Sequence, residues 1–220
     1  MKKNLFKLTL IIITASAFII TGCGKSEKDV KVGEKQTAGE TKGKSLVVST
    51  TDSKVNWLGK KVTGQHNGTI NILKGEVMVD NGKITGGKIE IDMKTIKNLD
   101  LTDAELNAKL VGHLSSADFF EVEKYPTSKL EIVKVEELKD ATKPNVNSTV
   151  TANLTMKDVT KSITFPAEIK IENGVLTAKA DFDVDRTDWN VKYGSGKFFD
   201  NLGDKMINDK FNLNISILAK

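Results

Sequence analysis

The sequence predicts a mainly β domain: an antiparallel barrel of eight or nine strands with one short helix across or beside an end. Three observations carry this. Apolar and polar residues alternate from Ser45 onward, Asn-Gly pairs separate alternating runs, and one segment switches to helical spacing. In the clearest hairpin, Ile163, Phe165, Ala167, Ile169 and Ile171 alternate with Thr164, Pro166, Glu168 and Lys170. After Glu172-Asn173-Gly174, Leu176, Ala178, Ala180, Phe182 and Val184 alternate with Thr177, Lys179, Asp181 and Asp183. Asn-Gly is a strong hairpin signal because both central residues of a type I′ turn take positive φ. Asp80-Asn81-Gly82 separates the runs 68–79 and 83–93 in the same way, and further runs cover 46–51, 54–59, 128–136, 150–156 and 211–217. Each run is apolar on one face only, which fits an antiparallel sheet. Closing that sheet into a barrel removes its edges.

The helical segment begins at Thr102-Asp103-Ala104-Glu105, which fits a capping box with Thr102 as N-cap and Glu105 at N3. Leu106, Leu110, His113 and Leu114 then share one face, and Gly112 and Ser115-Ser116 limit the length.

The N-terminal region has a different character. A basic start, Met1 to Lys7, precedes the uncharged run from Leu8 to Ile20. A membrane-spanning helix needs about 20 apolar residues, so this run has the length of a signal-peptide core instead. Ile20-Thr21-Gly22-Cys23 resembles a bacterial lipobox and contains the only cysteine of the chain. That resemblance implies a signal peptide over 1–22 and acylation at Cys23. It also implies a lipid-anchored protein of the bacterial envelope, on the periplasmic face or outer membrane, held without a spanning helix. Residues 23–44 are polar and lysine-rich and read as a flexible tether, which leaves 45–220 as the barrel domain.

Composition removes several function classes. A single cysteine excludes intramolecular disulfides and cysteine-based metal clusters. Over 45–220 there are 24 basic and 25 acidic residues, and Arg186 is the only arginine, so nucleic acid is not an expected partner. No G-x-S-x-G, no G-x-G-x-x-G after a strand and no redox cysteine pair is present, so the chain does not read as an enzyme. Asp181, Asp183 and Asp185 begin with EF-hand spacing, but Arg186 and Lys192 occupy the glycine and glutamate positions. His66, His113 and Asp118 do not make a supported zinc set, and no metal or cofactor is expected. An eight-stranded barrel can pack solid or hold one small ligand. Alanines at 152, 167, 178 and 180 on the inward sets leave both outcomes open.

Several stretches resemble the YceI-like family of lipid- or polyisoprenoid-binding proteins. They are Val55 to Lys60 with Gly64 to Gly68; His113 to Phe120 leading to Tyr125-Pro126; Leu154-Thr155-Met156 with Val159-Thr160-Lys161; Asp185 to Trp189; and Asp204-Lys205. The resemblance implies a lipocalin-like eight-stranded barrel with an apolar tunnel for a long isoprenoid chain. Trp57, Phe119, Phe120, Phe165, Phe182, Trp189, Tyr193, Phe198 and Phe199 are then candidates to line the tunnel, with Ala178 and Ala180 leaving room at its axis. Gly194-Ser195-Gly196-Lys197, with Arg186 nearby in sequence, is a candidate cradle for a diphosphate head group. The function expected is carriage of a long-chain amphiphile by a membrane-tethered barrel. The alternative is an envelope stress or assembly factor that acts through protein contacts. Expected partners are a polyisoprenoid or other long-chain lipid and the membrane, and a homodimer is left open.

Overall fold

A computed structural model describes residues 28–139 and 144–220; Cys23 and the signal-peptide segment lie outside the described residues. Two short strands come first, β1 (Lys31–Glu34) and β2 (Lys44–Val47). Longer strands follow: β3 (Lys54–Lys61), β4 (Gly64–Asp80), β5 (Lys83–Asn98), β6 (Thr127–Glu137), β7 (Ser148–Met156), β8 (Val159–Glu172), β9 (Val175–Asp185) and β10 (Lys210–Ala219). Helix α1 (Ala104–Ser115) lies between β5 and β6. From β3 to β10 each strand pairs antiparallel with its sequence neighbour. β10 then returns to β3, with Leu213 opposite Trp57 and Ile215 opposite Val55. The result is a closed eight-stranded up-and-down barrel.

The two Asn-Gly turns have the expected form: φ is 50° and 74° at Asn81-Gly82, and 51° and 79° at Asn173-Gly174. The up-and-down order sorts the connections between the two ends of the barrel. At the α1 end are the β3–β4 and β7–β8 hairpins, the β5–α1–β6 connection and the β9–β10 connection over 186–209. The β4–β5 and β8–β9 hairpins and the β6–β7 connection lie at the other end.

Alternation places one set of side chains inside, and these form two facing apolar walls. One is built mainly on β3 to β5 with Leu46, Val48 and Val122; the other is built on β7 to β9 with Trp189. Phe120, Leu130, Val135, Leu213 and Ile215 pack against both.

Helix α1 is capped one residue later than the capping-box reading expects. Asp103 is the N-cap, and its carboxylate accepts the Leu106 N–H at 2.9 Å. That register puts Glu105 one position too early to close the box, and it pairs with Lys109 instead. Leu106 turns out to be 51 % exposed, so only Leu110, His113 and Leu114 of the expected face point into the barrel mouth.

The larger correction concerns the tether. β8 and β9 pair directly only from Ala167 opposite Ala180 to Glu172 opposite Val175. Toward the α1 end the seam is spanned by the N-terminal segment. The Asp183 N–H donates to the Lys28 carbonyl, the Val30 N–H donates back to the Asp183 carbonyl, and β1 then pairs with residues 161–164 of β8. The Gln36 N–H donates to Asn153 Oδ1 at 2.9 Å, and Asn153 Nδ2 returns a bond to the Gln36 carbonyl at 2.7 Å. The Lys42 N–H reaches Thr85, and β2 adds to β4. From residue 28 onward the expected tether is therefore a strap around the outside of the barrel. Its side chains stay mostly exposed and backbone hydrogen bonds hold it, so it leaves no apolar pattern in the sequence.

Asn153 acts as the clasp of this strap and is itself buried. Asn153→Ala is expected to release 31–36, accelerating tryptic cleavage after Lys31 and Lys35 while lowering barrel stability by only about 1–2 kcal/mol. Cleavage as slow as in the unaltered protein would show that the clasp does not hold the strap.

Candidate functional site

The two walls do not meet along the whole axis. A cavity of about 310 Å³ lies toward the α1 end and a second of about 130 Å³ lies deeper. Val55, Ile91, Leu154 and Leu213 line both, so the two spaces are chambers of one interior that share a waist.

The deep chamber is walled by aliphatic side chains with Phe165 and Phe182, whose rings stack at 4.3 Å. Ala167, Ala178 and Ala180 supply its narrow side chains, and adjacent Ala167 and Ala180 leave the gap that larger residues would fill. An apolar cavity of roughly 150 Å³ stays dry and accepts apolar guests, so this chamber suits hydrocarbon.

The upper chamber is apolar in its depth and polar at its rim. Trp57, Ile96, Leu110, Leu114, Phe119 and Phe120 line the depth. Exposed Lys60, Lys61 and Gln65 place the mouth beside the β3–β4 hairpin. His113 presents its ring to Phe119 at 5.0 Å and Tyr193 at 4.6 Å, both edge-on, which joins α1 to the β9–β10 connection over the opening.

Trp57 owes its position to a glycine. It faces Gly68 across β3 and β4. A Cβ on Gly68 would sit 2.5 Å from the indole and 1.7 Å from the Lys97 carbonyl oxygen. Only a residue without a side chain lets the indole lie against β4 there. The indole Nε1 is buried and has no hydrogen-bond partner among the described residues.

A polar network fixes α1 over the mouth. Asp100 accepts the Asn67 N–H at 2.8 Å and the Asn98 amide at 2.6 Å, and its other oxygen lies 2.8 Å from His66 Nδ1. Asn107 on α1 donates to the Asn98 and Leu101 carbonyls. Burial pushes the Asp100 carboxyl up, but its bonds to Asn67, His66 and Asn98 outweigh that and hold it below the usual aspartate value.

Arg186 lines the upper chamber, but its guanidinium is committed to the backbone. It donates to the carbonyls of Asn208, Val191 and Ile207 at 3.1, 2.7 and 3.2 Å, lies 3.7 Å from Asp209 and stacks 5.5 Å over Phe119. Burial pulls its pKa down, and Asp209 and Asp185 oppose the shift. Arg186 thus pins both ends of the 186–209 connection to the barrel.

Arg186 and the Gly194–Lys197 turn meet at Asp209, 3.7 Å from Arg186 and 3.6 Å from Lys197, so a carboxylate, not an open diphosphate cradle, occupies the space between the two cations. The Lys197 ammonium pairs with Asp185 and lies near Asp209. The Ser195 carbonyl receives the Phe198 and Phe199 N–H groups, and the Gly194 carbonyl receives that of Ile207. These carbonyls tie the turn to residues 198, 199 and 207 of the same connection.

The remaining aromatic candidates also depart from the tunnel. Trp189 is fully buried outside both chambers, and its indole donates to the Leu154 carbonyl at 3.0 Å. Tyr193, Phe198 and Phe199 are exposed on the 186–209 connection and line neither chamber. Closeness in sequence placed them in one aromatic cluster; a long connection carries them away from the axis. His66, Leu110 and the four waist residues join the site instead. The waist residues belong to apolar runs that the alternation does expose. Each histidine faces its own aspartate, Asp100 or Asp118, and no group of three metal-binding side chains occurs among the described residues.

A closed up-and-down barrel with an apolar interior opening beside a helix is an architecture of the lipocalin type. Within that class the chain belongs to the YceI-like family, whose model, described as a YceI-like domain, matches residues 46–219. A "UPF0312 protein" of Pseudomonas putida is 37% identical over 100 residues, and one of Shewanella denitrificans is 31% identical over 100 residues. The chain spans about half the length of these curated relatives, 47%. Among solved structures, BcnA of Burkholderia cenocepacia superposes with a TM-score of 0.58 at 20% identity, covering 79% of this chain and 99% of that one. A polyisoprenoid binding domain from Saccharophagus degradans, implicated in plant cell wall breakdown, also gives 0.58, at 11% identity over 80% and 97%. At these identities the likeness is one of fold.

Gly68→Ala is expected to displace the Trp57 indole, lowering the unfolding free energy by ~1–3 kcal/mol and changing the tryptophan emission of the native state. Unchanged stability and emission would mean that the indole does not depend on this glycine.

Proposed function

We propose that the protein binds and carries a long-chain amphiphile, a polyisoprenoid or related lipid, without transforming it. The reading also places it at the bacterial envelope, tethered through acylated Cys23. The observation that carries the proposal is the polarity gradient of the interior. Apart from Lys179, between Ala178 and Ala180, the deep chamber is bounded by Ile, Leu, Val, Phe and Ala, whereas the upper chamber adds Lys60, Lys61, Gln65, His66, His113 and Asn208 with the buried Ser128 and Arg186. An amphiphile with its tail inward leaves no polar group in the dry chamber and keeps its head near water and donors. A linear tail can extend from one chamber into the other past Val55, Ile91, Leu154 and Leu213, which line both. The YceI-like family and the polyisoprenoid binding domain of the same fold support this choice of ligand class.

Native mass spectrometry of the protein purified from its own host is the direct test. A bound species in the long-chain lipid mass range is expected, released by denaturation. Ala180→Leu places extra volume in the deep chamber and is expected to reduce the bound lipid at least fivefold while the barrel stays folded, because the added side chain fills existing space. An empty wild-type barrel, unshifted in melting temperature by added prenyl alcohols, would overturn the proposal.

A further inference from the structure

We propose that the α1 end is a membrane-docking face that lays the mouth of the barrel against a lipid bilayer. The inference rests on the lipid-carrier reading, which gives the mouth a reason to meet a bilayer, but its evidence is separate. Of the large hydrophobic residues exposed among the described residues, only Val32, Val47, Leu73 and Val175 lie away from this end. The others lie on its connections: Val62 on the β3–β4 hairpin, Leu99 and Leu106 around the start of α1, and Tyr193, Phe198, Phe199 and Met206 on the 186–209 connection. The hairpin and that connection are joined, since the Val62 N–H donates to the Met206 carbonyl and the Asn208 N–H donates to the Lys60 carbonyl. Apolar side chains are thus presented on hydrogen-bonded loops around one opening, as an interfacial anchor requires.

The charges around them fit the same partner. Lys60, Lys61, Lys192 and Lys205 are exposed at this end and form no salt bridge with another described residue. Lys192 lies over the Phe198 ring at 4.8 Å. Lysines beside inserted aromatics meet anionic head groups. Asp188, Asp200, Asp204 and Asp209 share the connection, and exposed Asp103, Glu105 and Asp118 lie on or beside α1, so apolar contact supplies most of the attraction and anionic lipid a smaller part.

The test uses the full chain, processed in its host and reconstituted into phosphatidylcholine–phosphatidylglycerol vesicles with brominated acyl chains. Reporters are Phe198→Trp, Val62→Trp as a second site should the first disturb the connection, and Leu73→Trp on the barrel side as control. Trp57 and Trp189 give the same background in all three. Emission from the two α1-end reporters is expected to be quenched at least twofold more than from the control. Equal quenching at all three positions, or none, overturns the docking face. Lipid bound to each sample is measured by native mass spectrometry, which separates the two claims. Bound lipid without selective quenching retains the carrier and removes the docking face, and selective quenching of a lipid-free barrel does the reverse.

Discussion

Closing eight strands into a cylinder fixes an interior volume that alternate side chains must fill, and the other features of this molecule follow from how they fail to. Strand neighbours put Leu213 beside Trp57 and Ala167 beside Ala180. Val55, Ile91, Leu154 and Leu213 border both chambers, and where the small Ala167 and Ala180 sit side by side the interior stays open. The vacancy is set by side-chain size at fixed register positions. A one-residue slip of any strand would turn its apolar set outward, so closure also protects the cavity.

The same closure sorts function by end. An up-and-down barrel with its long connections after β5 and β9 gathers them at one rim. The helix, the polar network around Asp100 and the Arg186-pinned loop therefore all surround one mouth, while the β4–β5 and β8–β9 hairpins turn at the other end. Arg186 illustrates a general constraint: a buried guanidinium must spend its donors on nearby acceptors, and here these are the carbonyls of the loop that it holds down. Its place near the mouth made a head-group role attractive, but its bonds make it first a structural residue.

The fold was legible because its signals are local. Asn81-Gly82 and Asn173-Gly174 announce hairpins whatever surrounds them, and alternation in 163–184 reports the inward face directly. The capping box failed by one residue because Thr102 and Asp103 are both competent caps, and only the docked register of α1 decides between them. The strap was illegible for a physical reason. β1 buries no side chain, and its binding energy lies in backbone bonds and in the Asn153 clasp more than 100 positions away in sequence. The aromatic residues from 189 to 199 looked like one cluster, yet the chain sends Trp189 into the wall and Phe198 and Phe199 to the surface. Which aromatic residue meets a ligand is a property of the connection's path, and composition does not encode that path.

The central claim is that the two chambers form one passage, occupied by one extended apolar tail. Methyl-labelled protein loaded with a single prenyl alcohol would test it through intermolecular nuclear Overhauser contacts. One bound ligand is expected to contact Leu110 and Ile96 in the upper chamber and Ile169 and Ile217 in the deep one. Contacts confined to the upper chamber, with the Ile169 and Ile217 methyl signals unmoved by the ligand, would show that the waist is closed and contradict the account.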